Sequence, residues 1–89
     1  MPTVSFTPAL QRFLTAGSVQ VSGSSVNQAL AAVCASRPAL RGYVLDDQGV
    51  LRRHVNIYIN GQPIGDRLRL TDRVGADDEI YVSQALTGG

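Results

Sequence analysis

The sequence predicts an α+β domain in which a mixed β-sheet packs on one main helix. Three observations predict it. Apolar and polar residues alternate at Val4–Phe6, Val55–Ile59 and Ile80–Val82, the period of strands with one buried face. A single helical stripe, Val26, Ala29, Leu30 and Val33, recurs at i, i+3, i+4 and i+7. The chain has only 89 residues, below the roughly 100–200 of a typical domain, so one core must serve every element.

The first strand carries Val4 and Phe6 between Thr3, Ser5 and Thr7. Pro8 interrupts it, and Ala9–Leu14 reads as a connection or a short helical turn. After the Ala16-Gly17-Ser18 turn region, Val19-Gln20-Val21 alternates again and is expected to pair with the first strand as a hairpin with a long loop. Ser25 begins the helix: its hydroxyl can accept from a free amide of the first turn, and Gln28 can reach back as a capping box. Pro38 stops the helix at or just before Arg37, because its ring disfavours helical geometry in the preceding residue. From Pro38 to Arg53 the pattern is irregular, with Asp47-Gln48-Gly49 as a turn. A 3₁₀ turn near Pro38–Gly42 or a strand fragment near Val50–Leu51 is expected within a surface excursion. In the third strand Val55, Ile57 and Ile59 share one face and His54, Asn56 and Tyr58 the other. Asn60-Gly61 then marks a type I′ hairpin, and Ile64, Leu68 and Leu70 are expected to continue the apolar set. Asp77-Asp78 turns the chain into the last strand, where Ile80 and Val82 alternate with Tyr81 and Ser83.

Composition narrows the function. Hydrophobic residues make up 44% of the chain and charged residues 17%, with a net charge of +1; the arginines are spread from Arg12 to Arg73 rather than gathered in one run, so no nucleic-acid partner is expected. No apolar run approaches the roughly 18–20 residues of a membrane span, and no signal peptide is read. The single Cys34 cannot close an intramolecular disulfide, no Cys/His set has metal-site spacing, and the chain reads as cytoplasmic. Cys34 lies beside the helix stripe, where a cysteine serves as a small buried hydrophobe. His54 is alone, without a nucleophile or acid at meaningful spacing. No catalytic residue is assigned, and the protein is not expected to be an enzyme.

The exception is the last segment, Ala85-Leu86-Thr87-Gly88-Gly89, which has no fold-forming pattern and follows a well-patterned strand. The reading divides the chain into a folded domain over 1–84 and an extended, mobile tail over 85–89, which is either a frayed end or a segment in which Gly89 carries a reacting carboxylate. Gln84 to Gly89 spans at most about 20 Å. Glycine has no Cβ, so Gly88 and Gly89 can thread a narrow channel, with Ala85, Leu86 and Thr87 behind them. Ordering such a tail costs roughly 1–2 kcal/mol per residue, which a partner must offset. Tyr58 and Tyr81 point away from the apolar faces of their strands and are candidate partner-contact residues.

The ending from Asp78 to Gly89, the stretch Leu70-Thr71-Asp72-Arg73-Val74, the segment Leu51-Arg52-Arg53-His54-Val55-Asn56-Ile57-Tyr58-Ile59-Asn60 and the start Val4-Ser5-Phe6-Thr7-Pro8-Ala9-Leu10 together resemble the ubiquitin-like sulfur carriers, the MoaD/ThiS group, and most of all its CysO-like branch. The resemblance implies a ubiquitin-like β-grasp fold and a carrier function. An E1-like enzyme would use ATP to adenylate Gly89, a sulfur donor would displace AMP to leave a thiocarboxylate, and a downstream enzyme would take the sulfur. That acceptor would be cysteine-synthase-like, thiazole-synthase-like or molybdopterin-synthase-like, with pyridoxal phosphate on the first. The rivals are a protein modifier conjugated through Gly89 and a β-grasp interaction module with an inert tail. The chain departs from the resemblance at Gln84, where proline is frequent, and at Thr87, where a smaller residue is. With eight arginines and no lysine, the chain has no side-chain amine of its own for an activated tail to acylate.

Overall fold

The computed structural model describes residues 1–7 and 18–84. Among the described residues seven elements follow in order: β1 (Thr3–Phe6), β2 (Ser18–Gln20), α1 (Val26–Ser36), α2 (Pro38–Val44), β3 (Val55–Ile59), β4 (Gln62–Pro63) and β5 (Glu79–Gln84). The five strands form one sheet in the order β2-β1-β5-β3-β4. β1 and β5 run parallel, and every other neighbouring pair is antiparallel. The sheet is therefore mixed, and the chain's last strand is its middle strand.

The alternation seen in the sequence sets the inner face. Val4, Phe6, Val55, Ile57, Ile80 and Val82 are buried there, against Val26, Ala29, Leu30 and Val33 of α1 and Leu40 and Val44 of α2. Burying an aliphatic or aromatic side chain stabilises by about 1.5–3 kcal/mol, so this interdigitated set, rather than any polar contact, holds the layers together.

α1 starts where Ser25 predicts. The Ser25 hydroxyl accepts from the Gln28 amide, but Gln28 reaches one residue further back than a capping box: its Oε1 accepts from the backbone amide and the hydroxyl of Ser24. Gly23 precedes the cap at φ 150°, and a Cβ there would stand 2.9 Å from the Ala29 nitrogen, so close approach of this connection to the helix requires glycine. Arg37, at φ −135° and ψ 76°, ends α1 and begins α2. Pro38 then sits in the first turn of α2, where its missing amide costs nothing.

Two expectations are corrected here. The stretch after Pro38 is an α-helix over Pro38–Val44 rather than a 3₁₀ turn, and it is no surface excursion. Leu40 and Val44, one helical turn apart, are fully buried, as is most of Leu51. The strand fragment survives only as an isolated bridge between Leu45 and Leu51. Leu68 does not continue the apolar set, being 71% exposed. The chain there curls instead of extending: Asp66 Oδ1 accepts from the amides of Leu68 and Arg69, and the Asp66 carbonyl accepts from Leu70. Leu70 takes a left-handed φ of 56° and turns its side chain into the core.

Asn60 and Gly61 have φ of 50° and 84°, the positive pair that a type I′ turn demands. Pro63 lies in an edge strand of two residues, where its missing donor breaks no central ladder. The Ala9–Leu14 connection lies outside the described residues.

Candidate functional site

The predicted tail residues Ala85, Leu86, Thr87, Gly88 and Gly89 lie outside the described residues; what the structure does fix is their root. β5 is bonded on both sides, to β1 through Thr3↔Glu79 to Phe6↔Val82 and to β3 through Ile59↔Ile80 to Val55↔Gln84. Two further bonds carry the anchoring to its end: the Thr7 amide donates to the Val82 carbonyl, and the Gln84 amide donates to the Thr7 hydroxyl. Gln84 is thus held between Thr7 on one side and Val55 on the other.

Tyr58 and Tyr81 stand directly opposite each other in the β3–β5 ladder. Neighbours across a ladder have Cβ atoms about 4.5–5.5 Å apart, so the two rings share one patch. They sit in a row that crosses the sheet, Ser18–Ser5–Tyr81–Tyr58–Pro63, on the face away from the helices. Tyr81 is 39% exposed and Tyr58 half-buried. Such rings offer a large apolar area with a polar tip, which suits protein contact. The next row towards the root pairs Asn56 with Ser83.

Beside the root, one side chain ties the loop over 64–74 to β3 and its approach. The Arg67 guanidinium donates to the Val55 carbonyl at 2.8 Å, the Arg52 carbonyl at 3.1 Å and Asn56 Oδ1 at 3.1 Å. Its planar fork suits several acceptors at once. Arg52 in turn donates through Nε to the Gly42 carbonyl at 2.8 Å, linking β3's approach to α2. Sequence reasoning did not find this clamp, because Arg67 stands far from Val55 along the chain and no periodicity marks it.

Neither rejected nucleophile gains support. Cys34 is buried, and burial pushes its thiol above the ordinary range while the Arg41 charge only partly opposes this. A protonated thiol is a poor nucleophile. It borders a cavity of about 220 Å³ with Leu30, Leu45, Arg41 and Arg69. His54 is half-buried and lines an open cavity of about 330 Å³ with Asp46, Val50 and Leu51. Among the described residues no group of three or more His, Cys, Asp or Glu could hold a metal ion, and no helix is long and apolar enough to cross a membrane.

No protein-family model matches the chain, and no curated protein matches it. Solved structures do. Small archaeal modifier protein 1 from Haloferax volcanii is 27% identical, with a TM-score of 0.80 over 99% of this chain and 98% of that one. A chain of the Amycolatopsis orientalis BexX/CysO complex is 22% identical, with a TM-score of 0.85 over 100% of both chains. CysO from Mycobacterium tuberculosis is 23% identical, with a TM-score of 0.81 over 97% of this chain and 100% of that one. The fold is the ubiquitin-like β-grasp. The neighbours are ubiquitin-like carriers and modifiers, and they include the CysO-like branch that the sequence resembles.

Proposed function

We propose that the chain is a sulfur carrier that works as a protein co-substrate, with Gly89 as its reacting residue. The observation that carries this reading is the anchoring of β5. The strand that leads to Gly88-Gly89 is the middle strand of the sheet and is bonded on both sides up to Gln84. A rigid body thereby presents a short segment at one defined point. The full-length likenesses to the Haloferax volcanii modifier and to CysO support the fold that makes β5 the middle strand.

The chemistry follows from the carboxylate. Its oxygen is a poor leaving group, so an E1-like enzyme first joins the Gly89 carboxylate to the α-phosphorus of ATP, releasing pyrophosphate and leaving an acyl-adenylate. Hydrosulfide then adds to the acyl carbon, the C–O bond to AMP breaks with its electron pair on AMP, and one proton is lost. The product is a thiocarboxylate. Gly88 passes the channel for want of a Cβ, and Thr87, Leu86 and Ala85 line the stretch behind it. A downstream biosynthetic enzyme takes the sulfur; where that acceptor makes cysteine, pyridoxal phosphate on the acceptor would supply the electrophile. Tyr58 and Tyr81 give both partners a common contact patch beside the root.

A second reading is favoured by one observation. The Haloferax volcanii neighbour is by name a modifier, so the same adenylate could pass to a lysine amine of a target protein. Intact-mass measurement after incubation with an E1-like enzyme, ATP and sulfide tests the first reading. The expected result is the mass gain of one oxygen-to-sulfur exchange, localised to Gly89. A chain that stays unmodified there, or that appears only as a hydroxylamine-resistant adduct on other proteins, would overturn it in favour of an inert module or a modifier.

A further inference from the structure

We propose that the arginine cluster at the root of the tail, Arg52, Arg53 and Arg67, is a docking surface for the carboxylate-lined channel mouth of the adenylating enzyme. The inference rests on the carrier reading and adds to it what the partner's surface must look like.

The register places the cluster. Gln84 pairs with Val55, so the residues just before Val55, Arg52 and Arg53, flank the point at which the chain leaves the sheet. Arg67 is drawn to the same place by its bonds to the carbonyls of Val55 and Arg52. Length then decides the contact. Five residues beyond Gln84 reach at most about 18 Å, so an enzyme that holds Gly89 in a closed site must bring the rim of its channel against the root. Whatever charges stand there enter the interface by necessity.

Those charges are positive, and among the described residues none of the three is paired with a carboxylate. Arg52 and Arg67 direct their donors to the backbone carbonyls of Gly42, Arg52 and Val55 and to the Asn56 amide oxygen, which are neutral acceptors. Arg53 is exposed. Asp46 borders the adjoining cavity with Arg52 and Arg53; its Oδ1 accepts from the amides of Gln48 and Val50 rather than from either arginine, so it moderates the three positive charges without pairing with one. The acidic residues Asp77, Asp78 and Glu79 stand at the other end of β5. A strand of six residues separates the two ends by roughly 17–20 Å, about two Debye lengths at physiological salt. Among the described residues the root thus carries three arginines unpaired with any carboxylate, and a partner meets it favourably with negative charge of its own.

Kinetics of ATP–pyrophosphate exchange by an E1-like enzyme of the same organism, with the full chain as varied substrate, tests this. Arg53→Glu is the informative variant, because the bonds that hold the cluster together come from Arg52 and Arg67. It is expected to raise KM for the chain about tenfold at low ionic strength with kcat little changed, an effect that shrinks as salt approaches about 0.5 M. Arg53→Lys should restore KM to within about twofold, because it returns the charge, and Asp77→Arg at the far end should leave KM unchanged. An Arg53→Glu KM within about twofold of wild type at low salt, or lower than wild type, would overturn the proposal while leaving the carrier reading standing. A wild-type chain that supports no exchange at all would instead remove the carrier reading, and this inference with it.

Discussion

At the scale of single residues, carboxylates and one asparagine hold the irregular parts of the chain. Asn60 combines a left-handed φ of 50° with two side-chain bonds, donating to Asp78 Oδ1 and accepting from the Glu79 amide, each at 2.9 Å. Asn60→Gly and Asn60→Ala both lose the bonds, worth about 0.5–1.5 kcal/mol each, but glycine also removes the Cβ that the left-handed region disfavours by about 1–2 kcal/mol, whereas alanine keeps it. Urea unfolding should therefore rank the alanine variant below the glycine variant. The surface carboxylates Asp66, Asp72 and Asp78 all lie below the ordinary carboxylate range. Asp66 is held there chiefly by the Arg69 amide and the Thr71 hydroxyl, Asp72 by the Gly65 and Asp66 amides, and Asp78 by the Gly75 amide and Asn60. A carboxyl group depressed in the folded state stabilises it above the unfolded pKa, near 4, and that stabilisation is lost as pH falls through the folded value. The urea midpoint should thus be insensitive to these groups from neutral pH down to about pH 5 and decline below about pH 4. Asp66→Asn and Asp72→Asn should lower the midpoint at neutral pH and make the acid decline shallower.

At the scale of elements, the first turn of α1 shows how the loop over 64–74 and the helix complete each other. The Val26 amide donates to the Asp72 carbonyl and the Asn27 amide to the Leu70 carbonyl, each at 2.9 Å, and the Val74 amide returns a bond to the Ser24 carbonyl. As a cap the Ser25 hydroxyl accepts from the Gln28 amide alone, at a long 3.4 Å, while its proton is donated to Asn27 Oδ1. Ser25→Ala should consequently cost about 0.5–1 kcal/mol, the low end of the capping range, as a shift in the urea midpoint without change of slope. The sequence made α1 legible because its stripe and its cap lie within one run of residues. β1, β3 and β5 were legible for the same reason, their period of two being local. α2 was not: it offers only Leu40 and Val44 as buried positions, and Pro38 and Gly42 read as breakers until Pro38 is seen in the first turn. The exposed Leu68 misled because alternation assumes an extended chain, and here the Asp66 side chain supplies the turn. Of the candidate site, the Tyr58–Tyr81 patch follows from strand alternation once the two strands pair. The Arg67 clamp does not, because it exists only after β3 with its approach and the loop over 64–74 have met.

At the scale of the whole molecule, the chain's last strand is the one its sheet can least spare. β5 lies between β1 and β3, and each of its final residues has a partner: Val82 with Ile57, Ser83 with Asn56 and Gln84 with Val55. Val82 is fully buried, and its carbonyl also takes the Thr7 amide. Truncation should therefore show a sharp boundary. A chain ending at Gln84 should keep its urea midpoint, within about 0.5 kcal/mol of the full chain as for surface changes, yet support no adenylate formation with an E1-like enzyme. A chain ending at Tyr81 loses a buried valine, a change that costs about 2–5 kcal/mol for a large aliphatic side chain, together with the ladder bonds of three residues, and should not fold stably. Loss of stability on removing 85–89 alone would mean that the tail packs as part of the body. It could not then be withdrawn into a partner's channel without unfolding work, and a rigid body offering a separable reacting end would no longer describe this protein.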